Sequence, residues 1–122
     1  MYIISGKVIK GKQRGRDLGF PTANVLIDSE IPQGIYISRI KIDDRTFPSV
    51  TFIGNATTFG ETDIKSETYV LDFDQDLYDK MVEIELLQKI RENEKFESVE
   101  KLIKNIEEDV EKTRKYFERN AK

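Results

Sequence analysis

The stretch that decides the fold is GIYISRIKIDDRTFPSVTFIG, residues 34–54. It consists of two runs rich in Ile, Val, Tyr and Phe, and the turn-forming pair Asp43-Asp44 separates them. Alternation with a period of two is typical of β-strands that bury one face. One face of the first run carries Tyr36, Ser38, Ile40 and Ile42. The stretch therefore predicts two consecutive β-strands.

Four further runs of similar composition surround this stretch, at 2–10, 22–27, 67–73 and 81–90. Turn-forming triplets separate some of them, such as those at 32–34 and 74–76. Six short strands in a chain of 122 residues favour a compact barrel, because closing a sheet on itself removes exposed strand edges. We therefore expect a mainly β fold, with the barrel over about residues 1–90.

The last part of the chain changes to a helical period. Apolar and small side chains recur there with the spacing of one stripe of an amphipathic helix. The stripe consists of Val99, Leu102, Ile103, Ile106, Val110, Thr113 and Phe117. Ser98 stands where an N-cap residue is expected. The pattern predicts a C-terminal helix over about 98–118 that packs on the barrel.

Composition excludes several kinds of site. The chain contains no Cys, His or Trp, so zinc fingers, Cys-ligated iron–sulfur clusters, thiol nucleophiles and imidazole bases are excluded. A length of 122 residues allows a single domain. The sequence shows neither a signal peptide nor an apolar run of about 18 residues, so we expect a cytoplasmic protein without membrane contact.

Charge is distributed unevenly along the chain, although the net charge is only −3. Residues 1–20 hold five basic side chains and one acidic, and residues 61–76 hold six acidic side chains and one basic. This pattern fits a small anionic ligand together with a metal ion. It does not fit a nucleic-acid-binding protein, which usually carries a basic face over the whole domain.

A glycine-rich basic loop precedes the second predicted strand, in the sequence GKQRGRDLGFPTAN at 11–24. Glycines and cations together suit close approach to a polyphosphate. Thr22 and Asn24 then project from one side of a strand, and their oxygens are the neutral hard ligands that Mg²⁺ accepts beside phosphates and water. The alternative is a hairpin loop in which Thr22 and Asn24 only cap turns.

Glu67 is the candidate general base. It opens a strand pattern whose alternate neighbours, Tyr69 and Leu71, are large and at least partly apolar. A carboxylate on such a face can lie in a cleft and accept a proton. The alternative is an ordinary solvated Glu at the end of a strand.

Taken together, these motifs resemble the riboflavin kinase (flavokinase) family over nearly the whole chain. The specific part is RGRDLGFPTAN at 14–24. Further matching segments are GKV at 6–8, Gly11, PQGIY at 32–36, IG at 53–54, TFG at 58–60, Glu67, LDFDQDLY at 71–78 and IRENEKFESVEKL at 90–102.

The resemblance implies a six-stranded antiparallel Greek-key barrel with one C-terminal helix. It implies transfer of the γ-phosphoryl of ATP to the 5′-hydroxyl of riboflavin, which gives FMN and ADP. Residues 1–122 would form a single, stand-alone kinase domain, like the C-terminal domain of the bifunctional bacterial enzymes, and would stop at FMN. We expect riboflavin and ATP as the partners, no nucleic acid, and a monomer.

The resemblance also assigns roles to residues. Thr22 and Asn24 would bind Mg²⁺, and Glu67 would be the base. The flavin would lie against Arg91, Glu94, Phe96 and Leu102. The nucleotide would be bound by Gly11, Lys12, Arg14, Gly15, Arg16, Gly19, Pro21, Thr22 and Asn24.

Four positions depart from the usual bacterial pattern of the family. Phe52 replaces an Asn, Ala56 and Thr57 replace an Arg-Pro pair, and Tyr69 replaces a His. These departures motivate an alternative function, a flavin-binding module of the same fold with weak or no catalysis.

Overall fold

A computed structural model describes residues 2–9, 22–27, 30–55, 64–73, 75–93 and 98–120. Six strands are followed by one helix, which confirms the predicted mainly β fold. The strands are β1 (Tyr2–Lys7), β2 (Thr22–Leu26), β3 (Gly34–Ile42), β4 (Arg45–Asn55), β5 (Ile64–Val70) and β6 (Met81–Arg91), and the helix is α1 (Val99–Asn120).

The strands form one antiparallel sheet in the order β1-β6-β3-β4-β5-β2. β3, β4 and β5 follow one another, and β6 returns to lie beside β3, which is the Greek-key order. The two outermost strands come together just beyond β1, where the backbone N–H of Ile9 donates to the carbonyl of Asn24 at 2.7 Å. The sheet is therefore a nearly closed barrel.

The predicted turn at Asp43-Asp44 joins β3 to β4. Both residues have positive φ, 50° and 67°, as a two-residue hairpin turn of the type I′ family requires. This turn aligns Ile42 with Arg45 and so sets the register of the whole hairpin.

The barrel interior combines aliphatic side chains with a short chain of hydroxyls. Ile40, Ile53 and Ile84 belong to the interior core and are fully buried. The hydroxyl of Ser38 lies 2.7 Å from those of Ser49 and Thr51, and the Thr51 hydroxyl lies 2.8 Å from that of Thr68. Each of these buried polar groups thus has a partner inside the barrel.

Helix α1 covers part of the outer face of the barrel. Ile106 and Val110 pack on an outer-face cluster, which is formed by Ile35, Val50, Tyr69 and Leu71. Ser98 caps the helix, since its Oγ accepts a hydrogen bond from the backbone N–H of Lys101 at 3.2 Å. The predicted helix is confirmed, although it extends to residue 120.

The strand bounds differ slightly from the expected ones. β5 begins at Ile64 and ends at Val70, whereas the sequence predicted a strand over 67–73. The chain leaves the sheet there because Asp72 has a φ of 57°, which a strand does not accept. No helix within the described ranges is long and apolar enough to cross a membrane.

Candidate functional site

The register between β2 and β5 brings the predicted site residues together. Asn24 is paired with Glu67, and Thr22 is paired with Tyr69. Directly paired residues of an antiparallel sheet point to the same face, so the side chains of Thr22, Asn24 and Glu67 share one face. Tyr69 belongs to the outer-face cluster, and the site therefore lies on the outer face of the barrel.

These three polar side chains are buried. Their exposed fractions are 7% for Thr22, 0% for Asn24 and 5% for Glu67. Within the part of the chain that the structure describes, Thr22 Oγ1, Asn24 Oδ1, Asn24 Nδ2 and Glu67 Oε1 have no hydrogen-bond partner. A buried polar atom without a partner costs about 1–3 kcal/mol, so this grouping is typical of a site completed by a ligand.

The donor atoms suit a magnesium ion that is held jointly by protein and phosphate. Oγ1 of Thr22 and Oδ1 of Asn24 are neutral hard oxygens, whereas the carboxylate of Glu67 is the candidate base. Among the described residues, no group of three or more Asp, Glu, His or Cys side chains is placed to hold a metal. Mg²⁺ usually keeps several waters or phosphate oxygens and needs few protein ligands, so these residues fit it.

Phe52 forms the other flank of Glu67. It is paired with Glu67 across β4 and β5, so that Asn24, Glu67 and Phe52 form one row across three strands. Gly54 leaves room for its ring, because a Cβ at that position would lie 2.6 Å from Phe52 Cζ. Two of the four departures from the family pattern, Phe52 and Tyr69, thus border the candidate base.

Two of the predicted flavin residues are described. Arg91 forms a bidentate ion pair with Asp109 of α1, with Nε to Oδ1 at 3.0 Å and Nη2 to Oδ2 at 2.7 Å. Leu102 is partly buried and packs against the outer-face cluster. Both residues lie where α1 meets the barrel, and their contact with a flavin stays a prediction.

Most of the predicted nucleotide loop lies outside the described residues. This applies to two further flavin residues as well, and the roles of all these residues stay predictions. They are Gly11, Lys12, Arg14, Gly15, Arg16, Gly19, Pro21, Glu94 and Phe96.

Sequence reasoning missed Asp109. Its side chain is buried and holds Arg91, yet it is one of many acidic residues in α1. A signal was present, because Asp109 follows Ile106 by three residues and therefore lies on the buried side of the helix.

Comparisons with known proteins identify the family. Residues 1–117 match the Flavokinase family, described as riboflavin kinase. The "RNA-binding riboflavin kinase RibR" of Bacillus subtilis (strain 168) is 41% identical over 122 residues, which are 97% of this chain and 52% of that protein. This chain spans about half the length of that relative, and smaller shares of other curated relatives that it matches.

Two solved structures are also similar. A structure described as a macrolide-efflux protein from Streptococcus pneumoniae has 34% identity and a TM-score of 0.81, covering 92% of this chain and 38% of that one. The riboflavin kinase from Trypanosoma brucei has 26% identity and a TM-score of 0.65, covering 95% of this chain and 79% of that one. The family match over residues 1–117 shows that this chain belongs to the riboflavin kinase family.

Proposed function

We propose that this chain transfers the γ-phosphoryl group of ATP to the ribityl 5′-hydroxyl of riboflavin, producing FMN and ADP. The observation that carries the proposal is the buried row in which Asn24 stands opposite Glu67, with Thr22 beside them and polar atoms of all three unpartnered within the described chain. Family membership supports the same reaction.

Phosphoryl transfer depends mainly on positioning and on neutralising charge. Thr22 and Asn24 would hold Mg²⁺, which when bound neutralises the phosphate oxygens. Glu67 would accept the proton of the 5′-hydroxyl while the oxygen forms its bond to the γ-phosphorus and ADP leaves. Burial of Glu67 keeps water from competing for that proton.

The remaining residues would bind the two substrates. The loop from Gly11 to Gly19 would supply backbone N–H groups and cations to the phosphates. Arg91, Glu94, Phe96 and Leu102 would lie along the flavin. In this arrangement Asp109 would fix the guanidinium of Arg91 and so hold one wall of the flavin site.

The test is product formation by the purified chain. It is incubated with riboflavin, ATP and MgCl₂, and chromatography with fluorescence detection measures FMN. We expect FMN and ADP in equal amounts. A chain that forms no FMN under these conditions, while remaining folded by circular dichroism, would contradict the proposal.

A flavin-binding module without catalysis is the second candidate. The observation that favours it is Phe52, an aromatic ring opposite Glu67 where the usual family pattern has a polar Asn. Quenching of riboflavin fluorescence without FMN formation would identify this function. The same assay therefore separates the two candidates.

Riboflavin and ATP are the proposed partners, and no nucleic acid is among them. RNA binding is stated in the name of the relative from Bacillus subtilis, of which this chain spans about half. An electrophoretic shift with single-stranded RNA tests this directly. We expect none, since the chain has a pI of about 5.1.

A further inference from the structure

A cleft lies on the outer face of the barrel, away from Glu67. Its barrel wall is made by Ile37 of β3 and by Gln88 and Ile90 of β6, and its volume is about 520 Å³. Helix α1 packs on β3 and β4, whereas β6 and β5 lie on opposite sides of that strand pair. The helix thus stands between this cleft and the Glu67 site.

The helix wall of the cleft is basic. Lys112, Lys115 and Arg119 line it, and each charged side chain of the lining carries a positive charge. Lys115 is paired with Glu111 at 3.3 Å, but Lys112 and Arg119 form no ion pair with any residue that the structure describes. Residues 112 to 119 span about 10 Å along the helix, which is the length of a small phosphorylated molecule.

The rest of the lining suits a flat ring. Tyr116 is half-buried in the helix wall, and its ring meets that of Phe117 edge to face at 5.3 Å, which fixes its orientation. Ile37 and Ile90 offer apolar contacts, and the Gln88 amide offers a donor and an acceptor to a polar ring edge.

We propose that this cleft binds a small organic phosphate that carries a planar ring, of the size of a nucleoside monophosphate. The volume falls in the range of about 300–1,000 Å³ that is common for small-molecule sites. Lys112 would bind the phosphate, and Tyr116, one turn further along the helix, would pack against the ring. The proposal concerns a site separate from the kinase centre and does not depend on the proposed reaction.

The surrounding charge favours a small ligand over a nucleic-acid strand. Exposed Glu107, Glu108 and Glu118 lie on the same helix as the three cations. A single-stranded nucleic acid would carry its phosphates past these carboxylates. Proteins that bind single-stranded nucleic acids neutralise several phosphates along an extended basic surface. A single phosphate would stay within the basic cleft.

The test is an NMR titration of the ¹⁵N-labelled chain with uridine 5′-monophosphate. We expect saturable shifts of the Gln88 amide and of the amides of residues 112–120, with a dissociation constant below about 1 mM. Uridine and inorganic phosphate, which each lack one half of the ligand, are expected to bind about tenfold more weakly. Absence of saturable shifts at these amides would overturn the proposal.

Charge reversal in the cleft gives the matched comparison. Lys112→Glu is expected to weaken the binding of uridine 5′-monophosphate about tenfold. Lys104→Glu makes the same change in charge on an exposed position of α1 outside the cleft, and it should leave the affinity within twofold of the original. Equal losses in the two variants would mean attraction by net charge alone and would overturn the proposal. Binding of hexauridylate about 100-fold tighter than the monophosphate would also overturn the proposal, because it would identify single-stranded RNA as the ligand.

Discussion

The carboxylate of Glu67 is the group on which the proposed chemistry depends most. Glu67→Gln keeps the size of the side chain and its place between Asn24 and Phe52 but removes the proton acceptor. We expect FMN formation to fall by about two orders of magnitude or more, with riboflavin and nucleotide affinity largely kept. Turnover is measured by chromatography and affinity by fluorescence and calorimetry. Glu83→Gln is the control, because Glu83 is exposed on β6, and unchanged turnover in Glu67→Gln would exclude Glu67 as the base.

The buried phenol of Tyr36 should make the free energy of unfolding depend on pH in the alkaline range. Burial raises the pKa of Tyr36 above its ordinary value of 10.0, although the charge of Lys89 lowers it in part. The unfolded chain therefore loses the phenol proton first, so the contribution of Tyr36 to stability is present below pH 10 and falls as the pH rises above it.

Urea unfolding between pH 8 and pH 11 measures this effect. In Tyr36→Phe we expect a loss of about 1 kcal/mol at pH 8, because the 2.6 Å hydrogen bond to the Pro32 carbonyl is absent, and a weaker decline above pH 10. Tyr78→Phe is the matched control at an exposed tyrosine and should keep the original decline. Identical slopes for the wild type and Tyr36→Phe would contradict the assignment.

At this scale the sequence predicted which side chains share a face. The alternation of Glu67, Tyr69 and Leu71 placed these side chains on one face, and the last two do share the outer-face cluster. The spacing of Thr22 and Asn24 likewise predicted a common side. What a single strand cannot reveal is its register against a neighbour, so the pairing of Asn24 with Glu67 required the fold.

Among the elements, α1 and β6 are joined by the partly buried ion pair of Asp109 with Arg91. Asp109→Asn removes the carboxylate that accepts two hydrogen bonds from the partly buried guanidinium of Arg91. We expect the free energy of unfolding to fall by about 2 kcal/mol, measured by urea denaturation, because a hydrogen bond to a charged group contributes about 1.5–3 kcal/mol. Asp72→Asn breaks an exposed bidentate pair with Arg114 and should cost less than about 1 kcal/mol. Equal costs for the two variants would contradict this difference.

The elements themselves were largely predictable, because hydrophobic periodicity marks both strands and helices. The pair of Arg91 and Asp109 was not, since it joins residues 18 positions apart through the way in which α1 lies on the barrel. That placement depends on packing between surfaces, such as Ile106 and Val110 on the outer-face cluster, and a one-dimensional pattern does not encode it directly.

For the whole molecule, the site predicts a link between ligand binding and stability. A nucleotide that binds only the folded chain stabilises it by about 2.7 kcal/mol at 100 times its dissociation constant. We expect ATP with MgCl₂ to raise the midpoint of thermal unfolding, and EDTA to remove most of this gain. Asn24→Ala should show a much smaller gain. Equal stabilisation of wild type and Asn24→Ala, with or without EDTA, would exclude a metal-assisted nucleotide site at Asn24.

The hydrogen bond from Ile9 to Asn24 has a consequence for how this site can diverge. At residue 24 the main chain joins the two outermost strands, whereas the side chain faces the site. Because this hydrogen bond uses the backbone carbonyl of residue 24, a different side chain at this position does not remove it. A substitution at position 24 can therefore change the chemistry of the site while the barrel stays closed.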